Sequence, residues 1–200
     1  EAAKDRETLC RELGLEPGRP VILFAGKFSQ RKNPIALLHA FQSLDRTATH
    51  APYLVYVGDG DVREDLMVAA DGDPAVKFEG FRNQTALPAI YDLADIFVLA
   101  SNREPWGLAV NEAMNANCAV IVSNECGCAA DLIDSTTGRI VPAGSVSHLA
   151  SAITELLADP SRTREMGRTA RQRISQWNFE SDVAGLKRAI DAVSHGIDRS

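Results

Sequence analysis

Apolar positions along this chain fall into short runs separated by stretches with helical spacing. Runs rich in Val, Ile, Leu and Phe occupy positions 21–25, 53–57, 75–78, 96–99, 119–122 and 139–141. They are mostly continuous rather than alternating, as expected of strands buried on both faces of a parallel sheet. Positions 34–44, 62–70, 86–94, 108–117 and 129–133 carry helical patterns. Asn33-Pro34 predicts the start of the first of these, with asparagine as the cap and proline at the first helical position.

Strand–helix alternation with short connections predicts an α/β fold, a doubly wound Rossmann-like parallel sheet of six strands. Right-handed crossovers then place helices on both faces. From Ser145 onward no strand pattern remains, and a C-terminal tail of two or three helices is expected, with breaks near Asp159-Pro160 and Asn178. No internal repeat, low-complexity tract or linker interrupts the chain, so residues 1–200 read as one domain.

Ligands in such a sheet sit outside the carboxyl ends of the strands. After the first strand comes Gly26-Lys27-Phe28-Ser29-Gln30-Arg31-Lys32-Asn33, with three cations within six residues. The loop reads either as a solvated basic turn or as a site where Lys27 and Lys32 converge on one dianionic group beside a helix N-terminus. It is no Walker A loop, because the following Ser/Thr and the upstream glycine are missing. Gly58-Asp59-Gly60 follows the second strand, and Arg63 stands where a dinucleotide fingerprint needs its third glycine. A tight turn is the better reading, and this counts against a dehydrogenase.

The fourth strand leads into Ser101-Asn102-Arg103-Glu104-Pro105-Trp106-Gly107-Leu108, continuing to Glu112-Ala113-Met114. Pro105 holds Glu104 extended, and Gly107 permits close backbone approach of a ligand. The helix from Leu108 presents unpaired N–H groups to the sheet mouth, and Glu112 tilts back toward the same end. The two acids read either as ordinary surface charges or as acceptors for sugar hydroxyls on a ligand whose phosphates meet the lysines. Paired-carboxylate glycoside hydrolysis explains the lysine loop less well.

Composition narrows the classes further. The chain is 45% apolar and 24% charged, as in an average globular protein, which excludes disorder. A net charge of −6 argues against a general nucleic-acid binder and makes any cationic site local. No apolar run approaches the roughly 18 residues of a membrane span. Cys10, Cys118, Cys126 and Cys128 lack zinc-ribbon spacing and read as thiols in a reducing cytosol, so a cytoplasmic location is expected. His39, His50, His148 and His195 are scattered, and no metal site is assigned. The start at Glu1, without a signal sequence and inside a helical stretch, is that expected of an excised fragment.

In order, Gly26-Lys27 with Lys32, the segment 76–80, Tyr91-x-x-Ala94-Asp95, Glu104-Pro-Trp-Gly-Leu and Glu112-Ala-Met form a specific set. The chain thereby resembles the C-terminal, donor-binding domain of retaining GT-B-type glycosyltransferases, most closely family 4, whose E-x7-E motif Glu104 and Glu112 match. Thr137-Gly138-Arg139-Ile140-Val141-Pro142 and Trp177 are similar as well, so the match runs from about Val21 to the end.

This resemblance implies that Lys27 and Lys32 meet the donor diphosphate, with Gly26 beside them. It implies that Glu104 binds donor-sugar hydroxyls, Glu112 the ribose, the backbone at Gly107 and Leu108 the sugar or β-phosphate, and the backbone at Arg82 the base. Lys27, Lys32 and Glu104 would serve catalysis, transferring a hexose-type unit from a UDP-, GDP- or ADP-sugar to an acceptor hydroxyl, without cofactor or metal. The acceptor would bind an N-terminal domain absent from this chain, leaving the fragment inactive alone. Peripheral membrane association of the full-length enzyme is compatible with this. A nucleotide-sugar epimerase and a non-catalytic nucleotide-binding module are the rivals. Three departures stand out: Lys27 where many members have arginine, Asn117 as a left-handed substitute for glycine, and Cys126-Gly127-Cys128 in place of glycine-rich sequence.

Overall fold

The computed structural model describes residues 6–47 and 51–197; Glu1 and His50 lie outside them, as does the side chain of His195. Six strands pair in parallel: β1 (Val21–Ala25), β2 (Tyr53–Val57), β3 (Val76–Phe78), β4 (Ile96–Leu99), β5 (Ala119–Ser123) and β6 (Gly138–Val141). Each matches an expected run to within one residue at either end. Every residue of β1, β2, β4 and β5 is buried, which explains their continuous rather than alternating apolar pattern.

The helices are α1 (Arg6–Glu12), α2 (Pro34–Gln42), α3 (Arg63–Ala70), α4 (Leu87–Tyr91), α5 (Leu108–Asn115), α6 (Ala129–Leu132), α7 (Val146–Ala158), α8 (Pro160–Ile174) and α9 (Phe179–Ile197). One helical layer joins α2 with α3 and α7, and the other joins α5 with α4 and α8. The tail is three helices, broken where expected. Asp159 caps α8 by accepting from the Arg162 N–H at 2.9 Å, with Pro160 at its first position.

Three expectations need correction. Helix α4 is five residues, shorter than the expected 86–94, because Leu93 and Ala94 turn back on Ile90 and Tyr91 and lead into β4. Asn33 precedes Pro34 but does not cap α2: its φ is 49°, left-handed, and its side-chain amide donates to Asn102 instead. Gly58-Asp59-Gly60 is an irregular loop rather than a tight turn, with the turn at Asp61 and Val62. A β-carbon at Gly58 or Gly60 would overlap the carbonyl oxygens of Gly26 and Phe28, so these glycines let the second loop lie against the first. Asn117, at φ 61°, does take the left-handed position after α5.

Strand order is β3-β2-β1-β4-β5-β6. The chain winds outward from β1 in one direction and from β4 in the other, so the loops after these strands diverge and open a crevice. The register Ile22↔Ile96 and Leu23↔Phe97 sets β1 and β4 side by side beneath it.

Candidate functional site

The crevice is a cavity of about 580 Å³ lined by residues from every loop on the near half of the sheet. Gly26, Lys27 and Lys32 come from the loop after β1, Gly58 to Gly60 from the loop after β2, and Phe81 and Arg82 from the loop after β3. Leu87 and Tyr91 of α4 and Ala109 and Glu112 of α5 close the opposite wall. Five of the expected residues, Gly26, Lys27, Lys32, Arg82 and Glu112, therefore share one cavity. Glu104, Gly107 and Leu108 are outside its lining, and Glu104 communicates with it through Lys32.

One of the lysines lies directly against one of the carboxylates. Lys32 Nζ donates to Glu104 Oε2 at 2.7 Å, and the two side chains retain only 15% and 11% of their exposure. A pair so far removed from water interacts more strongly than a surface pair, but each partner depends on the other to offset its lost hydration. The expected convergence of both lysines on one anion is not preformed. Lys27 is 62% exposed and pairs with Asp61 at 3.2 Å, a solvent-screened contact of little strength.

Local chain geometry explains where Lys32 and Glu104 stand. Asn102 stitches the two loops together: its N–H donates to the Arg31 carbonyl at 2.8 Å, and its side-chain amide donates to Gln30 at 3.1 Å. A β-carbon at Gly26 would press on the aliphatic stem of Lys32, so glycine leaves the stem its path. On the other side Glu104 lies in a one-residue parallel bridge with Cys126, donating its N–H to Glu125 and accepting from the Gly127 N–H at 2.9 Å. A side chain at Gly127 would overlap the Pro105 carbonyl, so the Cys126-Gly127-Cys128 segment forms the backbone clamp that holds the Glu104 loop. Both of its thiols are buried. Burial pushes the Cys126 thiol up, and burial followed by its neighbour Cys126 pushes Cys128 up to about 12. They act as packing groups, with Cys126 Sγ donating to the Leu99 carbonyl at 3.3 Å.

The start of α5 carries no side-chain cap. Gly107 precedes it at φ 107°, and Leu108 is 70% exposed. Trp106 bonds Asn111 at 3.2 Å and packs on Trp177, which ties this loop to the tail. Arg82 is held at the cavity edge by Glu79, at 2.6 Å. Two lining groups were not among the expected site residues, although Tyr91 belongs to the Tyr91-x-x-Ala94-Asp95 motif. Phe81 is an aromatic ring 78% exposed at the rim, and Tyr91 is a buried phenol whose hydroxyl donates to Glu112 Oε2 at 2.8 Å. Phe81 directly follows Gly80, and Tyr91 sits five residues before the buried strand β4, opening that motif.

Among the described residues, no group of three or more His, Cys, Asp or Glu is placed to hold a metal ion. No helix among them is long and apolar enough to cross a membrane.

Residues 5–173 match the family model described as Glycosyl transferases group 1. A D-inositol 3-phosphate glycosyltransferase of Segniliparus rotundus is 27% identical over 96% of this chain and 44% of its own length. A GDP-mannose-dependent alpha-(1-6)-phosphatidylinositol monomannoside mannosyltransferase of Mycobacterium tuberculosis is 32% identical over 84% of this chain and 46% of its own length. The chain thus spans less than half of the curated relatives it matches. In fold it is similar to Anabaena Alr3699/HepE, solved in complex with UDP and glucose, at a TM-score of 0.78 and 22% identity over 97% of this chain and 53% of that one.

Proposed function

Because this chain belongs to the group 1 glycosyl transferases, we propose that it is the donor-binding half of a retaining, family-4-type enzyme using a nucleoside diphosphate sugar. The acceptor site lies on a second domain that precedes this chain in the full-length protein, and the chain by itself is inactive. In the reaction the bond between the anomeric carbon and the diphosphate oxygen breaks. The acceptor oxygen takes the carbon from the same face, and the acceptor proton is released.

One observation carries this reading: a cation, Lys32, and a carboxylate, Glu112, face one cavity at the sheet's switch point, with Glu104 bonded directly to that cation. The diphosphate fits against Lys32 and the exposed ammonium of Lys27, near the N-terminus of α2. As negative charge grows on the leaving diphosphate, these groups stabilise it without a metal ion. Glu104, at the loop before α5, accepts from hydroxyls of the sugar, and the N–H groups at Gly107 and Leu108, which no side chain caps, are free to donate on the same side. Glu112, one turn into α5, accepts from the ribose, and the base lies toward Phe81 and Arg82. The relative named for GDP-mannose and the fold neighbour holding UDP and glucose support a nucleotide-sugar as the ligand class.

A calorimetric panel of UDP-, GDP- and ADP-sugars, each measured with a chelator present, tests the proposal. One of them should bind saturably at a single site, and binding of none would refute it.

A further inference from the structure

Glu112 is an exposed carboxylate on a helix surface, and such a side chain ordinarily samples several rotamers. Here one of its oxygens is committed. The Tyr91 hydroxyl donates to Oε2 at 2.8 Å, from a residue that is itself only 3% exposed. Tyr91 has little freedom of its own. Its ring lies 5.8 Å from Phe97, its carbonyl accepts from Leu93's neighbour Ala94 at 3.0 Å, and the Cys118 thiol reaches the same carbonyl. Phenylalanine would fill this core position equally well, so packing alone gives no reason for the hydroxyl. Glu112 is the one hydrogen-bond partner seen for that hydroxyl among the described residues.

We infer that Tyr91 is a positioning residue: it fixes the Glu112 carboxylate so that Oε1 and the outer lone pairs face the cavity, set to accept from the two vicinal hydroxyls of a ribose. A carboxylate accepting one internal bond retains the capacity for two more, which is what a cis-diol requires. Burial, reinforced by the adjacent Glu112, raises the phenol above its ordinary value, which favours the protonated, donating form. The hydroxyl thereby lowers the ordering cost that Glu112 would otherwise meet on binding. This inference rests on the ribose role proposed for Glu112.

The test compares the wild-type chain, Tyr91→Phe, Glu112→Gln and the double variant by calorimetry. The probes are UDP, GDP and ADP with the 2′,3′-dideoxy form of each, and thermal midpoints are recorded alongside. Tyr91→Phe should weaken the ribose-bearing diphosphate that binds best by about three- to tenfold. It should leave the dideoxy form unchanged and add little to Glu112→Gln in the double variant. An equal loss for both forms would mean a merely structural role and would overturn the inference. So would additive losses, or no loss in Tyr91→Phe while Glu112→Gln discriminates. If Glu112→Gln fails to distinguish ribose from dideoxyribose, both the role of Glu112 and this inference fall together.

Discussion

Lys32 and Glu104, 72 residues apart in sequence, meet at 2.7 Å across the seam between β1 and β4. The contact joins a phosphate-binding type of side chain to a hydroxyl-binding one, so neither is independent of the other. Under the proposed function, the donor enters beside an existing ion pair, its diphosphate sharing the ammonium that Glu104 already holds.

The first consequence concerns stability. Lys32→Met should destabilise the fold by about 3 kcal/mol, because it strands a carboxylate with little access to water. Replacing both residues, Lys32→Met with Glu104→Leu, should recover most of that loss. Urea midpoints of the two single variants and the double variant measure the coupling, and simple additivity would show the pair to be solvent-screened.

The second concerns the division of labour between the glutamates. Glu104→Gln releases Lys32 from its counter-charge, so affinity for a free nucleoside diphosphate should stay the same or rise. Affinity for the intact nucleotide-sugar should fall about tenfold or more. Glu112→Gln should weaken both ligands alike. Calorimetric titration of the two variants with both ligands distinguishes this pattern from uniform loss.

Much of this arrangement was legible in the sequence. Burial on both faces is recorded directly in continuous runs such as 96–99 and 119–122, so strand positions and sheet type followed from composition over a few residues. The Gly26–Lys32 loop and the Glu104 to Glu112 spacing were likewise visible, because they lie at strand ends. What remained hidden was pairwise. Nothing in the order of residues says that Lys32 reaches Glu104, that Lys27 turns to Asp61, or that Asn33 spends its amide on Asn102 rather than on a helix cap. The Tyr91–Glu112 bond depends on how α4 packs beside α5, a tertiary relation with no local signature. Gly127 reads as a loop glycine until Pro105 is seen against it.

The third prediction is a pH dependence away from the cavity. Hydrogen bonds from Thr136 and then Arg173 hold the Asp134 carboxyl down to about 2, below its ordinary 3.8. A depressed folded-state value contributes stability that is fully present above the unfolded value and lost as pH falls through the folded one. Asp134→Asn should therefore be less stable than wild type at neutral pH, and the gap should close as the pH falls from about 4 toward 2. Guanidinium melts across that range provide the comparison; a gap independent of pH would remove the carboxylate from the explanation.

The central claim is that a nucleoside diphosphate binds through Lys32 without a metal, and the most direct test is calorimetry with Lys32→Ala in the presence of a chelator. Wild type and variant are titrated with the nucleoside diphosphate that binds best and with the corresponding bare nucleoside, once circular dichroism has confirmed that the variant is folded. The account predicts that Lys32→Ala weakens the diphosphate by about tenfold or more while nucleoside affinity changes little. Equal losses for the two ligands, or diphosphate binding that appears only when magnesium is added, would contradict it.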